Sequence, residues 1–143
     1  MPKYEFTYPS VGTSEEKMLD DVLTVLRRNR VDKDFQASFL LAVSEAFTNA
    51  LVHGNKRNPC KSIKLSIDIN NEALAADITD EGRNGLDKIK RRCPPDVLSE
   101  SGRGVDLIQH YASEVGFTET EKGGLKVSVR FDLAKKKKTR SYI

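Results

Sequence analysis

Residues that cross-link chains or bind metals are scarce here: 143 residues contain two cysteines, Cys60 and Cys93, and two histidines, His53 and His110. Two cysteines in a chain of this size make no disulfide framework, and two histidines beside them make no Cys/His metal cluster of usual spacing. Also missing is any uninterrupted apolar run approaching the roughly 18 residues of a membrane span. The opening MPKYEFTYPS lacks the apolar core of a secretory signal. A cytoplasmic protein with no membrane span is the expectation. A basic body is missing too. The formal net charge is +3, yet Lys135 to Lys138 and Arg140 lie in the last ten residues with no acidic neighbour. Taking those five charges from +3 leaves −2 for the rest. Direct nucleic-acid binding by the body is therefore not expected, and the basic tail 134–143 reads as a solvated end or as weak attachment to an acidic partner.

What is present suits one domain over residues 1–133, long enough for a two-layer core. Tyr4, Phe6 and Tyr8 alternate along a short strand over Lys3 to Tyr8. Thr13 and Glu16 stand at capping-box spacing, and Met18, Leu19, Val22, Leu23 and Leu26 then share a helical face that should end near Asn29. A second helix can start at Asp32 or Asp34 and run to His53, with Gly54 as its stop. Ile63, Leu65, Ile67 and Ile69, then Leu74, Ala76 and Ile78, keep a period of two on either side of Asn70-Asn71-Glu72, a β-hairpin. Residues 80–104 are irregular and glycine-rich, with a short helix over Leu86 to Arg92, and a further helix over Val105 to Ser113 starts directly after Gly104. Two closing strands, Glu114 to Thr120 and Leu125 to Leu133, pair across Gly123-Gly124. This order predicts an α+β fold, a two-layer sandwich with a mixed or antiparallel sheet covered on one face by helices.

Three stretches carry chemistry. In VSEAFTNALVHGN, Glu45, Asn49 and His53 are spaced four apart, at ~0°, ~40° and ~80° on a helical wheel. Leu40, Val43, Phe47, Ala50 and Leu51 fall at ~140° to ~240°, which marks the core side, and small Ala42 and Ala46 flank the polar stripe. The stripe is either an exposed face with incidental polar residues or one wall of a site. Next, Asp80-Glu81-Gly82 leaves a strand into a turn. A calcium loop is excluded, because Gly82 holds the third position and Arg91 the twelfth, where an acidic ligand is required. Asp80 is then a turn residue, or a carboxylate fixed at the sheet edge that accepts from a ligand amino group. Last, Ser101-Gly102-Arg103-Gly104-Val105 leads straight into a helix, where backbone N–H groups can cradle an anion. It matches neither GxxxxGK[ST] nor a complete GxGxxG.

Taken in order, these stretches resemble the N, G1 and G2 boxes of the Bergerat-fold ATPases. SEAFTNALVHGN, ITDEG and ESGRGVDLI are most similar to the small, single-domain anti-sigma factor serine kinases. The resemblance covers roughly residues 10 to 133. It implies a protein serine/threonine kinase with ATP and Mg²⁺ as cofactors. Glu45 would be the catalytic base toward a serine hydroxyl, and Asn49 the Mg²⁺ ligand. His53 would stand at the pocket edge. Asp80 would accept from the adenine amino group, with Gly82 letting the base approach. Residues 85–101, from the hinge at Gly85 to Ser101, would form the ATP lid. The amides of Gly102, Arg103 and Gly104, with Val105 opening the helix, would cradle the phosphates. The implied partners are a sigma factor and an anti-anti-sigma protein, and family members of this size are often homodimers. A nucleotide-gated binding module without phosphoryl transfer is the alternative. Two departures stand out: Asn84 takes the place of the second G1 glycine, with Gly85 one later, and Gly123-Gly124-Leu125 replaces a Gly-Thr before the last strand.

Overall fold

The computed structural model describes residues 3–83 and 112–133. Their elements are β1 (Lys3–Pro9), α1 (Thr13–Arg28), α2 (Lys33–Asn49) with a π-helical turn (Ala50–Gly54), β2 (Ser62–Ile69), β3 (Ala73–Thr79), β4 (Glu114–Glu119) and β5 (Leu125–Asp132). The five strands form one sheet in the order β1-β2-β3-β5-β4, with every neighbouring pair antiparallel. The α+β two-layer expectation holds, and of its two sheet options the antiparallel one is found. The expected helices over 86–92 and 105–111, the lid and the basic tail lie outside the described residues. Ala112 and Ser113 are described and are not helical; the Ser113 N–H donates to the Arg130 carbonyl at 2.8 Å on the approach to β4.

Alternation along the strands decides which sheet face is covered. Ile63, Leu65, Ile67, Ile69, Leu74, Ala76, Ile78, Leu125, Val127, Val129 and Phe131 all turn inward and are buried. The intervening positions, such as Lys64, Asp77 and Arg130, lie on the other face. Burying one face removes apolar surface from water at about 25 cal/mol per Å², which fixes the register, since a one-residue slip would turn every strand over.

Both helices lie against that face. The helix α1 begins one residue earlier than the capping-box reading requires. Gly12 occupies the N-cap with no side-chain cap, and the Ser14 hydroxyl donates to the Pro9 carbonyl at 2.7 Å instead. Met18, Val22 and Leu26 are fully buried and Val25 joins them, while Leu23 is at the rim. For α2, Asp32 is the N-cap, its Oδ1 accepting from the Asp34 N–H at 3.0 Å.

The core arc of α2 is wider than the wheel suggested. Phe39, Ala42, Val43, Ala46 and Phe47 have no exposure, whereas Leu40 is only half-buried. Ala42 and Ala46 do not leave space beside the polar stripe; they pack into the core, and the stripe sits on its shoulder. Small residues there let the helix approach the sheet closely. By length and composition the 22-residue helix Lys33–Gly54 passes for a membrane span, although Asp34, Gln36, Glu45 and Asn49 interrupt it and it is no continuous apolar run. Its apolar side chains are instead spent on the sheet, with Phe39 edge-on to Phe131 at 5.6 Å between ring centroids.

Candidate functional site

The polar stripe ends in a π-helical turn rather than in a glycine stop. The Asn55 N–H donates to the Ala50 carbonyl at 2.8 Å and the Arg57 N–H to the Leu51 carbonyl at 2.8 Å, which widens the last turn. Such single π turns are frequent at functional sites. Positive φ falls on Lys56 and Arg57, not on Gly54. Gly54 is required for a different reason: a Cβ there would overlap the Asp80 carboxylate and stand 3.0 Å from the Asp80 Cβ.

The turn after β3 is held in the same way. A Cβ on Gly82 would stand 2.9 Å from the Gly54 Cα, and one on Gly124 would stand 3.2 Å from Asp80 Oδ1. Gly54 and Gly124, from two other parts of the chain, therefore close on Asp80, and Gly82 closes on Gly54. Asp80 is 4 % exposed. Its Oδ1 accepts from the Gly82 N–H at 2.9 Å and the Leu125 N–H at 3.0 Å, and its own N–H donates to the Leu125 carbonyl at 3.0 Å. Two backbone donors on one oxygen hold the carboxylate plane fixed. Asp80 is thus a turn residue whose carboxylate is held at the end of the sheet by backbone donors.

Asn49 is the last residue of α2 and is 8 % exposed. Glu45, one turn earlier, is half-buried, as is His53 in the π turn. On the α1 side, Glu15 Oε1 accepts from the Ser44 and Thr48 hydroxyls, both at 3.4 Å, which seats α1 beside the stripe. Gly54 lies against Asp80 and Gly82, which sets the π turn with His53 beside the end of β3, while Asn49 lies five residues before Gly54 at the end of α2. Gly85, Ser101, Gly102, Arg103, Gly104 and Val105 lie outside the described residues. A depression of about 360 Å³ lined by Arg30, Phe35, Ile69 and Leu133 lies elsewhere, beside the α1–α2 connection and the β2–β3 turn.

The motifs gave no role to Asn55 at the end of VSEAFTNALVHGN, none to Ser10, and to Gly124 only a place in a turn. Asn55 is 1 % exposed and Ser10 fully buried. The Asn55 Nδ2 donates to Ser10 Oγ at 2.7 Å and to the Ser62 carbonyl at 3.0 Å, while its Oδ1 accepts from the Glu81 N–H at 2.7 Å. The Glu81 carboxylate in turn accepts from the Ser62 N–H. A polar residue just past a helix end gives little warning of such a role, because its partners are 45, 7 and 26 residues away.

Among the described residues no group of three or more His, Cys, Asp or Glu side chains could hold a metal. Mg²⁺ does not need one, because it keeps waters and takes substrate phosphates with one or two side-chain oxygens. The Asn49 carboxamide oxygen fits that donor set.

This geometry has relatives. A model of the histidine kinase-like ATPase domain matches residues 12–131. The anti-sigma F factor of Geobacillus kaustophilus is 30 % identical over 99 residues, spanning 66 % of this chain and 68 % of its own length. That of Bacillus subtilis is 28 % identical over 99 residues with the same two coverages. A crystal structure of the RsbU and RsbW domains of a Mycobacterium tuberculosis protein superposes over 92 % of this chain with a TM-score of 0.67 at 16 % identity. The chain spans about a third of that protein's length, 32 %, and the likeness is one of fold. On a match across both helices and four of the five strands, the chain belongs to the family of histidine kinase-like ATPase domains.

Proposed function

We propose that this chain is a cytoplasmic anti-sigma factor that binds Mg-ATP and transfers its γ-phosphoryl group to a serine of an anti-anti-sigma protein. The observation that supports the reading is the contact of Gly54 with the buried Asp80 carboxylate, which ties the helix carrying the buried Asn49 to the end of β3. A carboxylate with its plane fixed by backbone donors suits the amino group of adenine. A carboxamide at a helix end suits the metal that accompanies the phosphates. When bound, Mg²⁺ would neutralise charge on the phosphates as the phosphoryl group is transferred. Glu45, one helical turn from Asn49, would accept the proton of the incoming serine hydroxyl. Gly102, Arg103, Gly104 and their neighbours would supply backbone donors to the phosphates. A sigma factor would be the protein held or released, in keeping with the names of the relatives.

The test is transfer of labelled γ-phosphate to the cognate antagonist by wild type and Glu45→Ala, with ATP affinity measured alongside. Loss of transfer with retained affinity is expected; equal transfer rates would remove Glu45 from the chemistry. Asn84 in place of the second G1 glycine favours a second reading, a module in which Mg-ATP only changes affinity for a partner. ATP-dependent partner retention with no phosphate on the partner would establish it.

A further inference from the structure

Asn55 closes the stretch VSEAFTNALVHGN, where the resemblance gives it no role, yet its carboxamide is one of the most completely used polar groups among the described residues. The orientation of that carboxamide is determined by chemistry. The Ser10 hydroxyl donates its only proton to the Lys61 carbonyl at 2.7 Å, so toward Asn55 it can only accept. The Ser62 carbonyl also only accepts, and the Glu81 N–H only donates. Nδ2 must therefore face Ser10 and Ser62, and Oδ1 must face Glu81.

The three consecutive N–H groups of Asp80, Glu81 and Gly82 are all paired: with the Leu125 carbonyl, with Asn55 Oδ1 and with Asp80 Oδ1. Only the middle one depends on a side chain from another element. That N–H belongs to the peptide plane joining Asp80 to Glu81, so the bond to Asn55 limits rotation at the Asp80 backbone and hence the aim of its carboxylate. Packing cannot replace it, because Gly54 and Gly82 meet there backbone to backbone, with no side chain between them.

We propose that Asn55 is a positioning residue for base recognition. Through Oδ1 and the Glu81 N–H it holds the Asp80 carboxylate in the direction that selects adenine over guanine. The inference rests on the ATP reading of the site. An acceptor aimed at the six-position amino group of adenine meets a carbonyl oxygen in guanine, and two acceptors repel. A carboxylate free to swing loses that discrimination; one held fixed keeps it. The Nδ2 side of the carboxamide, toward Ser10 and Ser62, serves the fold.

Affinities for ATP and GTP, measured by calorimetry with Mg²⁺ well below each variant's unfolding temperature, test this on the full chain. For Asn55→Ala we expect ATP affinity to fall about tenfold and GTP affinity to change little, so the preference for ATP shrinks by a similar factor. Asn55→Ser, whose hydroxyl and a water can occupy the vacated space, is the second variant should the alanine not fold, with the same expectation. Ser10→Ala should lower the unfolding temperature and leave the preference intact. The proposal is overturned if the Asn55 variant keeps the wild-type preference, if it loses ATP and GTP affinity by one common factor, or if Ser10→Ala erases the preference as fully. Where wild type prefers ATP and the Asn55 variant does too, only the role of Asn55 falls. A wild-type chain that binds neither nucleotide overturns the ATP reading and this inference with it.

Discussion

Gly54, in the π turn after α2, packs against the Asp80 carboxylate at the end of β3 with no room for a Cβ between them. This contact joins the helix that carries Glu45 and Asn49 to the strand that carries Asp80. Gly54→Ala should therefore destabilise the fold by about 1–3 kcal/mol, the range for overpacking, although alanine is the better helix former. It should also weaken ATP binding by displacing Asp80. Thermal unfolding and nucleotide titration read the two effects separately; an alanine variant more stable than wild type would refute the steric assignment.

If Asn49 holds the metal as proposed, Asn49→Ala should raise the ATP dissociation constant about tenfold in Mg²⁺ and by much less in EDTA. Calorimetric titrations under the two conditions give the ratio. An equal loss with and without Mg²⁺ would assign Asn49 to the fold rather than to the metal.

Tyr8 predicts a pH dependence. Its hydroxyl donates to Asp21 Oδ2 at 2.7 Å, and its pKa is pushed well above the ordinary phenol value, first by burial and then by the bond to Asp21 and its charge. The folded state thus keeps a proton that the unfolded chain releases near pH 10. This contribution is complete below about pH 10 and is lost as pH rises beyond it. Tyr8→Phe should cost about 1.5–3 kcal/mol near neutral pH, for the bond to a charged acceptor, and should flatten the decline above pH 10. Urea unfolding from pH 8 to pH 11 measures both.

The core arc of α2 predicts a contrast between neighbours. Phe39 is fully buried and edge-on to Phe131, so Phe39→Ala should cost about 3–5 kcal/mol. Leu40 is half-buried, and Leu40→Ala should cost about 1 kcal/mol. Denaturant midpoints of the two variants rank them, and similar losses would contradict the observed rotation of the helix.

Much of the fold was legible because its signals are local. The alternation of Ile63, Leu65, Ile67 and Ile69 with polar neighbours needs only a period of two to mark a buried strand face. The spacing of Glu45, Asn49 and His53 needs only the geometry of a helix. Where reading failed, the deciding partner lay far along the chain. The wheel took Leu40 as core and passed over Phe39, since the rotation of α2 depends on where Phe131 lies. Gly54 read as a helix stop, because nothing nearby shows that Asp80 lies against it. Thr13 and Glu16 have the spacing of a cap, but the Ser14 hydroxyl, five residues from Pro9, ties the chain down one step earlier.

The sequence by itself determined the elements, the covered sheet face and the residue types of a nucleotide site, since periodicity and side-chain chemistry are properties of neighbours. Only the tertiary structure decided that Gly54 and Gly124 close on Asp80, that Gly82 closes on Gly54, and that Asn55 ties the ends of three segments to the turn that holds it. Those arrangements depend on hydrogen bonds and steric limits between residues 26 to 45 positions apart, which no local pattern encodes.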